Sequence, residues 1–259
     1  MKKRVSLLLA LFFTVLPLFS YSCRETREFM FRDGDPLIRI SVYFPERHED
    51  SDGTLPLLLI LNAHEYIESF SATLKVMADF GYAPDVILAT LQTNNPFSIY
   101  TPSQAGIPGG EVIPDSGGGQ RLRELLIKEI IPWIEKSYHV SSFRMVYGHS
   151  VGGLWVLDDF TQSDPFFSAH AATSPSCWWD DEVLTSRIRS LSLSSRGGTL
   201  FMCMGNEGKT MFPPAKRFYE AVIQYDETIQ ASFLSFETTD HQMIPVIAFS
   251  HSMAFLFSD

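Results

Sequence analysis

Short apolar runs that alternate with helical patterns constrain this chain more than any other feature of it. The runs fall at 57–61, 86–91, 143–147, 168–173, 199–204 and 231–236, each of strand length. Helical spacing fills 69–80, 120–137 and 151–162, and further helical patterns begin at Glu182, Pro214 and Ile244. A parallel strand pair needs a long crossover, and a crossover helix covers the sheet face it passes. The alternation therefore predicts an α/β fold: a mostly parallel central sheet with helices on both faces. Upstream, alternating segments at 25–31 and 37–44 flank Asp33-Gly34-Asp35-Pro36 and predict an N-terminal antiparallel hairpin. The polar stretch 46–53 reads as a surface loop.

The helix from Gln120 has the clearest face, with Leu122, Leu125, Leu126, Ile130, Trp133 and Ile134 on one side and a Glu124/Lys128 pair one turn apart. Pro132 should kink or restart it. One connection, 92–119, is long, patternless and rich in Pro, Gly, Asn and Ser, and a loop of that length inside a compact domain is usually functional or mobile. No repeat, linker or low-complexity tract divides the chain. The expected organisation is a signal peptide over 1–22 and a single domain over 23–259.

The signal reading rests on Lys2, Lys3 and Arg4, an apolar run at 5–19 broken by Pro17, and the small-residue site Ser20-Tyr21-Ser22. That run is shorter than the roughly 20 apolar residues a spanning helix needs. Cys23 follows directly, as in a lipidated bacterial protein, but Ser20 replaces the usual apolar residue three positions before it. A lipid anchor through Cys23 and simple secretion both stay open, and either puts the chain in the bacterial periplasm, cell envelope or medium. Cys177 and Cys203 are expected as buried free thiols rather than a disulfide. The formal charge is −10, from 20 Lys and Arg against 30 Asp and Glu. Phosphate backbones and anionic lipid surfaces recruit clustered cations, so no nucleic-acid partner is expected.

The chemistry-bearing segment is Gly148-His149-Ser150-Val151-Gly152, a G-x-S-x-G pattern with an apolar run before it and a helical pattern after it. The glycines permit a turn too tight for side chains, and that turn exposes the Ser150 hydroxyl. The backbone N–H of Val151, at the start of the following helix, would face an oxyanion formed on attack. A serine needs a base, and in this chain order the base comes last. His241, in the polar loop after the last strand-like run, is the candidate, whereas His251 lies inside the final helical pattern and reads as structural. The acid should follow the preceding strand, which selects Glu207 over Asp240, the sequence neighbour of His241. A second oxyanion donor is expected from the loop after the first parallel strand, with the backbone N–H of His64 the first choice. No His, Cys or Asp cluster has metal-ligand spacing, and Gly117-Gly118-Gly119 lacks the Lys-Ser/Thr of a phosphate loop, so neither metal nor other cofactor is expected.

Several segments together resemble the putative esterase family of α/β-hydrolases, the branch with esterase D, enterochelin-type siderophore esterases, feruloyl esterases and the mycobacterial antigen 85 acyltransferases. They are Ile131-Pro132-Trp133-Ile134-Glu135, Gly148-His149-Ser150-Val151-Gly152-Gly153, Ser174-Pro175-Ser176 with Trp178-Trp179, Gly205-Asn206-Glu207 and Asp240-His241. The likeness runs from about Leu57 to the C-terminus. It implies Ser150 as nucleophile, Glu207 as acid, His241 as base, and N–H groups near His64 and Val151 as oxyanion hole. The chain departs from the pattern at Asn62-Ala63, where relatives usually carry Asp-Gly, and at Asn95-Pro96-Phe97, where an Arg-Asp is common.

An anionic ferric siderophore would want a basic pocket, whereas Phe97, Tyr100, Trp178 and Trp179 suggest an aromatic or apolar acyl group, unless those rings belong to the core. The expected partner is a small-molecule ester. Hydrolysis and acyl transfer share an acyl-enzyme and differ in what resolves it. A non-catalytic binding protein on the same scaffold is the remaining class, and Ser150 with His241 argue against it.

Overall fold

The computed structural model of the protein describes residues 21–32, 37–46, 53–62, 65–191 and 197–258. Within them lie the strands β1 (Tyr21–Met30), β2 (Leu37–Pro45), β3 (Leu55–Leu61), β4 (Ile87–Gln92), β5 (Val140–His149), β6 (Ala169–Thr173), β7 (Thr199–Gly205) and β8 (Gln230–Phe236). They form one sheet in the order β1-β2-β4-β3-β5-β6-β7-β8. β1 and β2 pair antiparallel, β2 joins β4 antiparallel, and every pair from β4 to β8 is parallel.

Eight helices accompany the sheet among the described residues: α1 (Ile67–Asp79), α2 (Pro96–Tyr100), α3 (Gly119–Leu125), α4 (Ile131–Ser137), α5 (Val151–Phe160), α6 (Trp179–Ser190), α7 (Gly208–Tyr225) and α8 (Ile244–Leu256). The two faces of β3 show why its sequence is apolar throughout rather than alternating. Leu57, Leu59 and Leu61 point into a core shared with α3, α4, α5 and α7, while Leu58 and Ile60 point into a second core with α1 and α8. A strand covered on both sides has no face left for polar residues.

The order reverses at β3, which has β4 on one side and β5 on the other. Chain leaving the carboxyl ends of β3 and β5 therefore departs in diverging directions and opens a crevice, the usual ligand position in such sheets. Leu61 pairs with Gly148, which sets Asn62 and the segment entering Ser150 side by side at that crevice.

The structure refines several local expectations. The turn 33–36 of the predicted hairpin and positions 47–52 of the predicted loop lie outside the described residues, as does 1–20 of the expected signal. Tyr21 and Ser22 open β1, and Cys23 is exposed on that edge strand. The long helix from Gln120 is not simply kinked: α3 and α4 are joined by a π-helical turn, Leu126–Ile130. Pro132 has no N–H to return to the carbonyl four residues back, and the widened turn before it accommodates the loss. Glu124 and Lys128 pair at 3.3 Å as spaced.

The patternless connection 92–119 contains α2, capped by the Asn95 side chain, and packs closely enough that a Cβ on Gly118 would lie 2.2 Å from the Ser98 carbonyl oxygen. Cys177 and Cys203 are free and buried. Burial pushes both thiols up, Cys203 to about 12.

Candidate active site

Ser150 links β5 to α5 with φ 57° and ψ −119°, a conformation that costs a side-chain-bearing residue about 1–3 kcal/mol. Surrounding contacts hold it there. Its N–H donates to the Thr173 carbonyl at 3.0 Å, and its own carbonyl accepts from Leu154 and Ser176. A Cβ on Gly148 would stand 2.4 Å from the Gly152 carbonyl oxygen, and one on Gly153 would stand 3.2 Å from Pro175. Both contacts explain the glycines around the serine. Val151 begins α5, so its N–H has no carbonyl within the helix to bond. The proposed second donor, His64, lies outside the described residues.

Glu207 follows β7 and stands at the N-cap of α7, while His241 lies in the turn between β8 and α8. The two loops are tied together: Asn206 N–H donates to the Thr239 carbonyl at 2.7 Å. His241 Nδ1 meets Glu207 Oε1 at 3.0 Å, with the carboxylate 4% exposed and the imidazole 31% exposed. Asp240, the rival acid, is engaged elsewhere, its Oδ1 accepting from the N–H groups of Gln242 and Met243 at 3.1 and 2.9 Å. His251 sits on α8 against Phe236.

Ser150 lines a cleft of about 290 Å³ with Asn62, Glu65, Tyr66, Pro96, Phe97, His149 and Gln242 among its walls. His241 is brought to this place through two neighbours. Its ring packs on that of His149 at 4.4 Å between centroids, and Gln242, next in sequence, reaches the cleft wall. Tyr66 clasps the same loop by donating its hydroxyl to the Gln242 carbonyl at 3.1 Å. Among the described residues no direct hydrogen bond joins Ser150 to His241, a separation common in ligand-free sites of this chemistry. Burial and the neighbouring His241 push the His149 pKa down to about 3, so the ring beside His241 is neutral.

Two expected substrate contacts are corrected. Tyr100 is fully buried and spends its hydroxyl on Asn62 Oδ1 at 3.1 Å, so it braces the first loop from beneath. Trp179 is equally buried, its indole N–H donating to the Ser103 carbonyl at 3.1 Å and its ring stacked on Phe97. Trp178 is half-buried with its N–H on Met211 Sδ, and it is not among the residues that line the cleft. Phe97 does line it.

Missed from sequence as cleft walls were Glu65 and Tyr66, which belong to the expected oxyanion loop 62–66, and Gln242, the neighbour of the expected base, and that placement could have found them. Also missed was Ser174, whose hydroxyl donates to Glu207 Oε1 at 2.5 Å. Among the described cleft-lining residues Glu65 carries a charge and none is Lys or Arg.

The chain is 27% identical over 170 residues to the apo-salmochelin esterase of Escherichia coli O6:H1, covering 61% of this chain and 53% of that protein. It is 23% identical over 219 residues to the ferri-bacillibactin esterase BesA of Bacillus subtilis, covering 81% and 70%. It thus spans about half the length of the first of these relatives and over two thirds of the second. An IroE-like serine hydrolase from Shewanella oneidensis superposes with a TM-score of 0.78 at 20% identity over 90% of this chain and 79% of that one, a likeness of fold. The sequence model of the family described as "Putative esterase" matches residues 36–242, well over half the chain, and the protein belongs to that family of α/β-hydrolases.

Proposed function

We propose that the protein hydrolyses a carboxylic ester through an acyl-enzyme on Ser150, with His241 as base and Glu207 as the acid that orients it. The observation that carries this reading is the 3.0 Å contact of His241 Nδ1 with the buried Glu207 carboxylate, next to a serine held in a strained turn. Glu207 fixes Nδ1 as the protonated nitrogen, which leaves Nε2 free to take the Ser150 proton as Oγ attacks the ester carbonyl. The tetrahedral oxyanion is stabilised by the Val151 N–H and by a second donor in the loop after β3, for which the N–H of His64 is the candidate. The imidazolium then protonates the departing alcohol, and water, activated by the same histidine, releases the acid. No step calls for a metal or other cofactor.

The cleft supports a small, uncharged substrate with an apolar part, since Phe97, Pro96 and Tyr66 form its walls and its charged wall residue is Glu65. A siderophore-type ester is a second reading, favoured by the names of the two curated relatives, and the lack of Lys or Arg in the described wall counts against its polyanionic ferric form. For the N-terminus we propose export with removal of 1–22, and a lipid on Cys23 is compatible with its exposure on β1. Mass spectrometry of the mature protein reads both: an intact N-terminus refutes cleavage, and a diacylglyceryl mass on Cys23 selects the anchored form.

The function is tested with a short-chain aryl ester, with and without a serine-directed phosphonate. Turnover abolished by stoichiometric labelling of Ser150 is the expected result. Turnover that survives full labelling of Ser150 overturns the mechanism.

A further inference from the structure

We infer that Ser174 is a positioning residue for the acid–base pair, holding the carboxylate of Glu207 where His241 needs it. The inference rests on the reading of Glu207 as the acid and goes beyond it. Ser174 is the first residue after β6, fully buried, with φ 43°, a left-handed backbone that a serine adopts at a cost. Its N–H is fixed on the Cys203 carbonyl at 2.8 Å, so the hydroxyl is carried by the adjoining strand β7, the strand that also delivers Glu207.

The geometry is one-sided. Glu207 Oε1 accepts from both Ser174 Oγ at 2.5 Å and His241 Nδ1 at 3.0 Å, while the buried Oε2 has no protein partner. With only one oxygen engaged, the carboxylate keeps a free rotation about its last bond unless two donors converge on that oxygen. His241 alone is a half-exposed ring on a turn and cannot supply that restraint. Ser174, buried and strained, can. It is not among the residues that line the cleft, and its hydroxyl is spent on Glu207, so it acts through that carboxylate. Its strain has no evident structural return, because glycine would take the same backbone without cost.

The test is a double-mutant cycle on the full chain, read as kcat and KM for a short-chain aryl ester together with the thermal midpoint. Ser174→Ala and Ser174→Gly should each lower kcat about 10- to 100-fold with KM little changed, the scale of one hydrogen bond to a charged group. Ser174→Gly relaxes the backbone and should melt no lower than the parent, which separates lost positioning from lost folding. In a Glu207→Gln background the further loss from Ser174→Ala should shrink to less than about twofold.

The proposal is overturned if Ser174→Gly keeps parental kcat, or if Ser174→Ala costs as much in the Glu207→Gln background as in the parent. Near-parental kcat for Glu207→Gln alone would instead sink the acid assignment, and this proposal with it.

Discussion

Among the described residues, two histidine–carboxylate pairs of the same length stand in opposite surroundings. His241 Nδ1 meets Glu207 at 3.0 Å, and His170 Nε2 meets Asp159 at 3.0 Å. The pairs sit at opposite ends of the same elements: α5 is capped by Ser150 and carries Asp159 in its last turn, and β6 carries His170 near its start and runs into Ser174 at its end. His170 is 2% exposed, ringed by Phe160 and Phe167, and Asp159 also takes Arg123 at 3.0 Å and the N–H groups of Phe166 and Phe167.

Burial works against the Asp159 charge, but these donors, His170 first, hold its carboxyl below the usual range. His170 Nδ1 has no partner, but it is sealed inside the core, and no surface is left for a substrate. The His241 pair lies at the carboxyl edge of the parallel strands, with a ring about a third exposed and the proposed nucleophile Ser150 nearby. Contact distance does not tell the two pairs apart; exposure of the imidazole does.

Four substitutions would break or sharpen that contrast. Ser150→Ala and His241→Ala should each lower ester turnover by about 10⁴- to 10⁶-fold with the melting temperature nearly unchanged, and the double variant should be little worse than either. Near-normal rates for Ser150→Ala would place the chemistry elsewhere. Next, Glu207→Gln should lower kcat by roughly 10²- to 10⁴-fold with little change in KM or melting. Asp159→Asn should do the reverse, costing about 3–5 kcal/mol of stability by leaving buried charge unpaired, while the folded fraction keeps its kcat. If both variants lose activity and stability alike, the two pairs are not functionally distinct.

His149 gives a pH signature. With a folded pKa of about 3 against an ordinary 6.5, the unfolded chain binds a proton between those values that the folded chain does not, so stability falls as pH drops through that window. Between pH 7 and 5 the parent should lose about 2 kcal/mol more than His149→Phe in urea titrations. Equal losses would mean the ring is not kept neutral. Smallest of all, Asp240→Asn retains an acceptor oxygen for Gln242 and Met243 and should change kcat by less than about threefold.

How far the sequence carried these conclusions depends on whether the information is local. The alternation from residue 57 onward yields the parallel sheet because period and length report burial directly, and β3 shows both faces covered. The turn at Ser150 is legible because Gly148 is forced by a backbone contact close in sequence, with the Gly152 carbonyl. Glu207 and His241 are picked out by chain order and loop position, and the fold brings the two side chains to 3.0 Å of each other.

Tyr100 and Trp179 mislead because an aromatic near a site in sequence has no mark telling cleft from core, and both turn inward onto backbone or Asn62. Ser174 was visible as part of a motif without a purpose, since its partner is 33 residues away and its φ is set by tertiary packing. The widened turn at Leu126–Ile130 likewise answers a proline that sequence could flag but not resolve.

The turn around Ser150 divides its labour in a way that bears on how such a protein could lose its trade. Gly148 is demanded by the chain's own bulk, since a side chain there would run into the Gly152 carbonyl, and Gly153 is tightly packed against Gly148 and Pro175, whatever the protein does for a living. Ser150 alone is demanded by the proposed reaction. A descendant that abandoned catalysis could shed the hydroxyl at once, and would even gain by taking glycine there, yet it would have to keep the glycines that once framed it. The frame would outlast the picture, and a lineage of silent descendants would still advertise an empty elbow.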